Sequence, residues 1–164
     1  MTYYFNKKNL SLIIIFLLIF FFDRLTKIYI LNLAESGNNV NIYLNEYINF
    51  YLIWNEGIAF GLLSSGENNF YNFITTIIII INLIILYLIF KTKDYRSYFL
   101  LMIISGSSGN LFDRLYYKAV PDFIDLHIGN FHWFIFNVAD IFISTGVLCL
   151  ILVEIFFNKN LTKL

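Results

Sequence analysis

The sequence is poor in charge, proline and cysteine. Only 13% of its 164 residues are charged whereas 59% are hydrophobic, which is too little charge for the surface of a soluble protein. The single proline and the mean hydropathy of +0.72 favour long helices in lipid. The single cysteine, Cys149, excludes an intrachain disulfide and a thiolate metal cluster. Equal numbers of basic and acidic residues, 11 of each, give no bias toward nucleic acid.

Four apolar stretches are predicted to cross a membrane. Residues 68–90 contain no charged side chain and exceed the roughly 20 residues that a helix needs to span the hydrocarbon core. Three further spans, which carry some polar residues, are predicted over residues 9–33, 97–115 and 137–157. We therefore expect one integral membrane domain over residues 1–164, an all-α bundle of four transmembrane helices.

The first apolar stretch also has the basic start and apolar middle of a signal peptide over residues 7–22. No small-residue cleavage site follows it, and the charged segment DRLTK does, which favours an uncleaved first span.

The positions of the charges predict the orientation. Seven of the 11 basic residues precede span one, join spans two and three, or follow span four: Lys7, Lys8, Lys91, Lys93, Arg96, Lys159 and Lys163. Since positive charge is retained in the cytoplasm, we expect both termini there. Nine of the 11 acidic residues lie toward the other side, so the working face is expected to be extracytoplasmic.

Two extracytoplasmic segments are long enough to have structure of their own. Residues 34–67 end in an aromatic and β-branched mixture that predicts short strands at the membrane surface. Residues 116–136 contain the only proline, a Gly-Asn pair and the aromatic run HWFIF, which predict a loop anchored by interfacial aromatics.

Ionisable side chains in a membrane bundle are costly unless they are paired or hydrated. Asp23 and Lys27 stand four residues apart, acid first, which favours an intrahelical ion pair at the end of span one. In span three, Asn110 and Arg114 share a helix face, and Asp113 lies beside them. This part of span three can be a packing face with an Asp–Arg pair or part of a polar site. Its small residues, which let a neighbouring helix approach, are Ser105, Gly106, Ser107, Ser108 and Gly109.

Asp122 and Asp140 flank one short extracytoplasmic connection. Two carboxylates held close together cannot both ionise cheaply, so one becomes an acid while the other remains a base. Such a pair suits a protease that activates water. Asn137 shares the helix face of Asp140 and can donate to a carboxylate or to a substrate carbonyl. From spacing alone, an Asp that opens a helix is more often an N-cap, so both interpretations stay open.

Other chemistries have weaker support in the sequence. His127 and His132, near Asp122 and Asp125, could bind a metal, but the HExxH spacing is absent, and loop histidines beside an aromatic more often lie at the membrane interface. A Ser–Lys dyad would need Lys27 to meet one of the small serines of span three. A proton-coupled carrier would distribute its acids across the bilayer depth, and a scaffold would use the polar motifs only for packing.

Five motifs occur in an order that resembles the lipoprotein signal peptidase family, also called signal peptidase II. They are DRLTK (23–27), WNEGIAFG (54–61), GSSGNLFDR (106–114), VPDFID (120–125) and FNVAD (136–140). The family consists of bacterial aspartyl proteases with four spans in the cytoplasmic membrane. They remove the signal peptide of prolipoproteins just before a diacylglyceryl-modified cysteine. The resemblance implies the same activity here, with prolipoproteins and membrane lipid as partners, no nucleic acid, no metal and no cofactor.

By this resemblance, Asp122 and Asp140 are the catalytic dyad, and residues 34–67 form a small β-cradle with a short helix over the site. The implied substrate-binding residues are Asn55, Gly57, Asn110, Arg114 and Asn137. The implied supporting residues are Asp23, Lys27 and Asp113. Ser105 and Phe134 depart from the family's usual Gly and Pro, which affects local packing. We expect one aspartate to deprotonate water while the other polarises the scissile carbonyl. Arg114 either orients substrate oxygens or only holds Asp113.

Overall fold

The structure, a computed structural model, describes residues 7–36, 40–57 and 68–157. Its elements are α1 (Lys7–Glu35), β1 (Asn41–Tyr43), β2 (Ile48–Asn55), α2 (Asn68–Lys91), α3 (Arg96–Tyr117), β3 (Val120–Ile128), β4 (Phe131–Phe136) and α4 (Val138–Phe157). A mostly helical chain with a small sheet confirms this part of the predicted fold. The rest of the segment predicted to form a cradle and a short helix, residues 37–39 and 58–67, lies outside the described residues.

Helix α3 is the centre of the bundle and packs against α1, α2 and α4. Its glycines explain how the neighbouring helices come so close. A Cβ atom on Gly106 would overlap the carbonyl oxygen of Ala139 in α4, and one on Gly109 would lie 2.6 Å from Asp23 Oδ2 in α1. The small polar string of span three is therefore a close-packing face on two sides.

The strands form one antiparallel sheet in the order β1-β2-β3-β4. The prediction of a loop over residues 116–136 was wrong, because β3 and β4 form a hairpin there, closed by Gly129 and Asn130. Gly129 has a φ of +58°, which a glycine adopts without strain. Nearly every residue of β3 is buried or half-buried. A strand that is buried on both faces lacks the regular alternation of polar and apolar residues by which a half-exposed strand is recognised in a sequence.

A small apolar core holds the sheet against the helices. It consists of Ile30 in α1, Val40 before β1, Phe123 in β3 and Val138 in α4. The ring of Phe50 in β2 meets Phe123 edge to face, with centroids 5.9 Å apart. Because Phe123 follows Asp122 and Val138 begins α4, this core fixes the positions from which the two predicted catalytic aspartates project.

Two helical stretches, residues 71–91 and 138–156, are long and apolar enough to cross a membrane by length and composition. They belong to α2 and α4. Helices α1 and α3 cover the other two predicted spans, and their crossing of the membrane stays a prediction.

Candidate active site

Asp122 and Asp140, which the sequence places 18 residues apart, are held by one asparagine. The Asn137 side chain donates through Nδ2 to Asp122 Oδ1 at 2.6 Å. The backbone N–H of Asn137 donates to Asp140 Oδ2 at 3.1 Å. Both carboxylates also line one cavity of about 1280 Å³. The structure therefore brings the two predicted catalytic residues to the same place.

Asn137 also caps helix α4. The N–H of Asp140 donates to Asn137 Oδ1 at 3.1 Å, and together with the bond from Asn137 N–H to Asp140 this forms a reciprocal capping box. The N-cap is therefore Asn137, and Asp140 stands in the first helical turn. Asp140 Oδ1 is left to another donor, Asn110 Nδ2, at 2.8 Å.

Asp122 lies in β3 with only 3% of its surface exposed. Burial, and secondarily the negative charge of Asp140, raise the pKa of Asp122 from 3.8 to about 6. Hydrogen bonds from Asn55, whose Nδ2 lies 2.9 Å from Asp122 Oδ2, and from Asn137 oppose this rise. A carboxyl with such a pKa can hold or release a proton near neutral pH, as general acid–base catalysis requires.

A network of four buried charges lies beside the aspartates. The predicted ion pair between Asp23 and Lys27 is present, with Nζ 3.0 Å from Oδ2. Asp113 of α3 receives hydrogen bonds from Lys27 at 2.7 Å and from both terminal nitrogens of Arg24, which also reaches Asp23 at 2.9 Å. Two cations thus neutralise two anions, which lowers the cost of burying all four charges.

This charge network holds the first turn of α4. Lys27 Nζ donates to Asn110 Oδ1 at 2.7 Å, and Asn110 in turn donates to Asp140. Asp23 Oδ1 accepts the backbone N–H of Ala139 at 3.0 Å, one of the helix-start donors that lack a partner within the helix. Asp23, Lys27 and Asp113 are thus linked to the first turn of α4 through Asn110 and the α4 backbone, and their supporting role stays a prediction.

Arg114 does not hold Asp113, so that alternative was wrong. Arg24 and Lys27 donate to the Asp113 carboxylate, whereas Arg114 Nη2 donates to the Gly57 carbonyl oxygen. Asn55 Oδ1 accepts the Gly57 N–H at 3.0 Å, which fixes this backbone from the other side. Arg114 Nη1 is buried without a hydrogen-bond partner in the described part of the chain, and Arg114 lines the cavity. It can therefore donate to an oxygen of a bound substrate.

Two residues of the site were missed by the sequence analysis. Arg24 could have been found, since a third charge inside an apolar helix needs a partner. Tyr71 carried no sequence signal: its hydroxyl donates to the Arg114 carbonyl oxygen at 2.8 Å, and its ring lies 5.7 Å from the Arg114 guanidinium carbon.

The Ser–Lys alternative is not supported by the contacts of Lys27. Its ammonium has three donors, and these meet Asp23, Asn110 and Asp113. Ser105 instead donates to the Leu101 carbonyl oxygen at 2.6 Å. Lys27 is therefore not placed to activate a serine nucleophile.

The cavity joins this polar end to an apolar wall. Helix α2 contributes Ile74, Ile77, Ile78 and Ile81, and α4 contributes Ile141. The α2 residues recur at helical spacing and so form one stripe along the helix. The cavity therefore has room for an apolar group along α2 and for a polar group next to the aspartates.

The sequence and the fold have known relatives. The family model described as Signal peptidase (SPase) II matches residues 15–157. A lipoprotein signal peptidase of Pelagibacter ubique (strain HTCC1062) is 52% identical over 159 residues, covering 96% of this chain and 96% of the relative. One of Aquifex aeolicus (strain VF5) is 40% identical over 147 residues, covering 88% of this chain and 85% of the relative.

Two solved structures of bacterial membrane enzymes have a similar fold. One has a TM-score of 0.72 at 27% identity and covers 94% of this chain and 93% of its own. The other has a TM-score of 0.67 at 28% identity and covers 87% of this chain and 91% of its own.

Proposed function

The chain belongs to the signal peptidase II family and is an aspartic-type membrane peptidase that removes signal peptides from prolipoproteins, and we propose that Asp122 and Asp140 are its catalytic dyad. The observation that carries this assignment is the contact of Asn137 with both carboxylates at the end of the cavity. The raised pKa of Asp122 also supports it.

In the proposed reaction, Asp140 is the base and Asp122 the acid. Asp122 is assigned the acid role because its pKa, raised to about 6, lets it hold a proton closer to neutral pH than an ordinary carboxyl does. Asp140 takes a proton from a water molecule, and the water oxygen attacks the scissile carbonyl while Asp122 donates a proton to the carbonyl oxygen. The C–N bond then breaks as Asp140 passes its proton to the leaving amine and the carbonyl oxygen returns its proton to Asp122.

The substrate side of the proposal concerns the diacylglyceryl group. We assign it to the isoleucine stripe of α2, because an acyl chain placed there leaves the adjoining cysteine near the polar end of the cavity. Arg114 is assigned to a substrate carbonyl or ester oxygen through Nη1, which has no hydrogen-bond partner within residues 7–36, 40–57 and 68–157. Asn55, Asn110 and Asn137 act mainly through the carboxylates to which they donate. The backbone of Gly57 joins Asn55 to Arg114, because its N–H donates to Asn55 and its carbonyl oxygen accepts from Arg114.

We further propose that all four helices cross the membrane as one domain. Large apolar side chains of α1 are more than half exposed, as expected for a helix in lipid: Leu18 65%, Phe21 55% and Leu25 65%. Helix α3 can be less apolar because three other helices surround it. Lys8 Nζ donates to the Lys93 carbonyl oxygen at 2.9 Å, so α1 begins where α2 and α3 connect. The basic residues of this end indicate the cytoplasm, and the dyad lies at the extracytoplasmic end.

The test is cleavage of a synthetic prolipoprotein, with and without its diacylglyceryl group, by purified full-length protein. We expect cleavage of the lipidated substrate only, and no cleavage by folded Asp122→Asn or Asp140→Asn variants. Asp94→Asn is the matched control, since the same change at an exposed acid of the α2–α3 connection should leave activity unchanged. Cleavage surviving in either dyad variant would move the catalytic role elsewhere, and equal cleavage of both substrates would remove the lipid assignment.

A further inference from the structure

A second polar cluster lies on the sheet, away from the dyad. One ligand atom from each of Asp125, His127 and His132 lies within 4.8 Å of the others. Asp125 and His127 alternate along β3 and so share a face. In β4, Trp133 is the extra residue of a bulge, which places His132 opposite His127, with ring centroids 5.2 Å apart. The bulge thus brings both histidines of the chain together.

Polar atoms of this cluster are buried and lack partners. Asp125 Oδ1 and His127 Nδ1 have no hydrogen-bond partner in the described part of the chain, although their side chains are only 4% and 8% exposed. Asn49 Oδ1 is also buried and has no partner among the residues that the structure describes, and Asn49 stands directly opposite Asp125 in the β2–β3 register. Because buried polar atoms are rarely unsatisfied, several in one place indicate a ligand or ordered water.

The cluster is separate from the proposed active site. Asp122 and Leu126 line the large cavity. Asp125 and His127 are an odd number of positions from each of them along β3 and therefore project from the opposite face. The metal interpretation that grouped the histidines with Asp122 was wrong on this point.

We propose that Asp125, His127 and His132 bind a divalent transition-metal cation of the Zn²⁺ type. Two imidazoles and a carboxylate are ligands that Zn²⁺ accepts, and a tetrahedral site with bonds of about 2.0–2.1 Å separates its ligand atoms by about 3.3 Å. Here Asp125 Oδ2 lies 2.8 Å from His132 Nδ1 and 3.8 Å from His127 Nδ1. These two separations lie on either side of the expected value of about 3.3 Å, and all three ligand atoms lie within 4.8 Å of one another.

The site is open to a cation, and a fourth ligand is within the cluster or in solvent. His132 is 55% exposed, so a cation can enter from solvent on its side. Asn49 Oδ1 or a water molecule completes the coordination. A cation bound there joins β4 to β3 and stabilises the strand that carries Asp122.

The test uses Zn²⁺ alone with purified full-length protein that has been treated with chelator and carries no purification tag. Calorimetry and thermal unfolding measure binding and stability, and Co²⁺ provides an absorption spectrum that reports tetrahedral coordination. We expect one bound Zn²⁺ per chain, a raised Tm, and loss of both effects in His132→Gln and Asp125→Asn. His132→Gln decides the question if Asp125→Asn does not fold, because His132 is exposed.

Glu46→Gln, which removes an exposed carboxylate between β1 and β2, is the matched control and should bind as the wild type does. Wild-type protein that binds no Zn²⁺, or His132→Gln that binds it equally well, would overturn the proposal and leave the unpartnered atoms to water. No step of the test depends on peptidase activity, so its result is independent of the proposed function.

Discussion

Lys27 donates from its ammonium to the Asn110 side-chain oxygen at 2.7 Å, although the two residues lie 83 positions apart. Because an ammonium can only donate hydrogen bonds, it must face the oxygen of the Asn110 amide and not its NH₂ group. Its NH₂ group must then point toward Asp140 Oδ1, at 2.8 Å. The buried charge network thus determines the orientation of a donor to one of the two proposed catalytic carboxylates.

The first prediction concerns this donor. Asn110→Asp keeps an acceptor for Lys27 but removes the N–H to Asp140 and places a like charge beside it. A hydrogen bond to a charged group contributes about 1.5–3 kcal/mol, so kcat should fall roughly 10- to 100-fold. The measurement is steady-state cleavage of a lipidated substrate. Asn72→Asp, the same change at an exposed position near the start of α2, should retain wild-type kcat; equal losses in both variants would contradict the orienting role.

The second prediction is that Asp122→Asn stabilises the protein while it abolishes activity. The pKa of about 6 lies about two units above the ordinary 3.8, so the ionised carboxylate destabilises the folded protein at pH 7 by about 3 kcal/mol. The new amide has only one oxygen, so either Asn55 or Asn137 loses its acceptor. This loss offsets about 1 kcal/mol of the stability that is gained by removing the carboxylate. Denaturant titration in detergent should therefore show a net gain of about 2 kcal/mol.

The sign of this effect can be checked by pH. The folded pKa of Asp122 is raised, so wild-type stability is lost as pH rises from about 4 through about 6. The advantage of Asp122→Asn should be present at pH 7 and absent below about pH 4. Asp113→Asn is the contrasting variant: it leaves Arg24 and Lys27 short of an anion and should cost about 3–5 kcal/mol. If Asp122→Asn lost stability as Asp113→Asn does, the ionised Asp122 carboxylate would not destabilise the folded protein.

Local spacing predicted the pairing of Asp23 with Lys27, whereas the choice of Asp122 and Asp140 as a dyad came from the resemblance of the five motifs. Asp23 and Lys27 are four apart in one helix, and their ion pair is present. Asp122 and Asp140 flank one short connection, and their contact with Asn137 follows from it. Their catalytic role stays a proposal.

Contacts between distant segments could not be predicted from spacing. The partner of Asp113 is set by how α1 packs on α3, which the glycines of α3 permit but do not specify. Arg114 was paired with its neighbour Asp113 in one interpretation, but it reaches Gly57, which lies 57 positions away. The β3–β4 hairpin was missed because burial on both faces removes the polar alternation of β3.

The third prediction concerns the pH dependence of cleavage. If Asp122 supplies a proton, kcat/KM should fall as pH rises through about 6 in the wild type. Asn55 donates to the ionised carboxylate and so lowers the pKa of Asp122. Asn55→Ala should therefore shift this fall of kcat/KM to a higher pH by about one unit, whatever its effect on the maximum value of kcat/KM. Asn72→Ala should leave the fall in place, and a fall that does not shift in Asn55→Ala would remove Asp122 from the acid role.

The last prediction tests the close approach of α3 to α1. A Cβ atom on Gly109 would lie 2.6 Å from Asp23 Oδ2, the oxygen that also meets Lys27 and Arg24. Because Asp23 cannot withdraw without leaving those cations, Gly109→Ala should lower the free energy of unfolding by about 1–3 kcal/mol. Gly129, in the hairpin turn, has a positive φ but open space around it. Gly129→Asn should cost less than about 1 kcal/mol, since Asn tolerates that backbone conformation. Thermal unfolding of the two variants compares them directly, and an equal loss of stability would mean that α1 can move away from α3 without breaking the charge network.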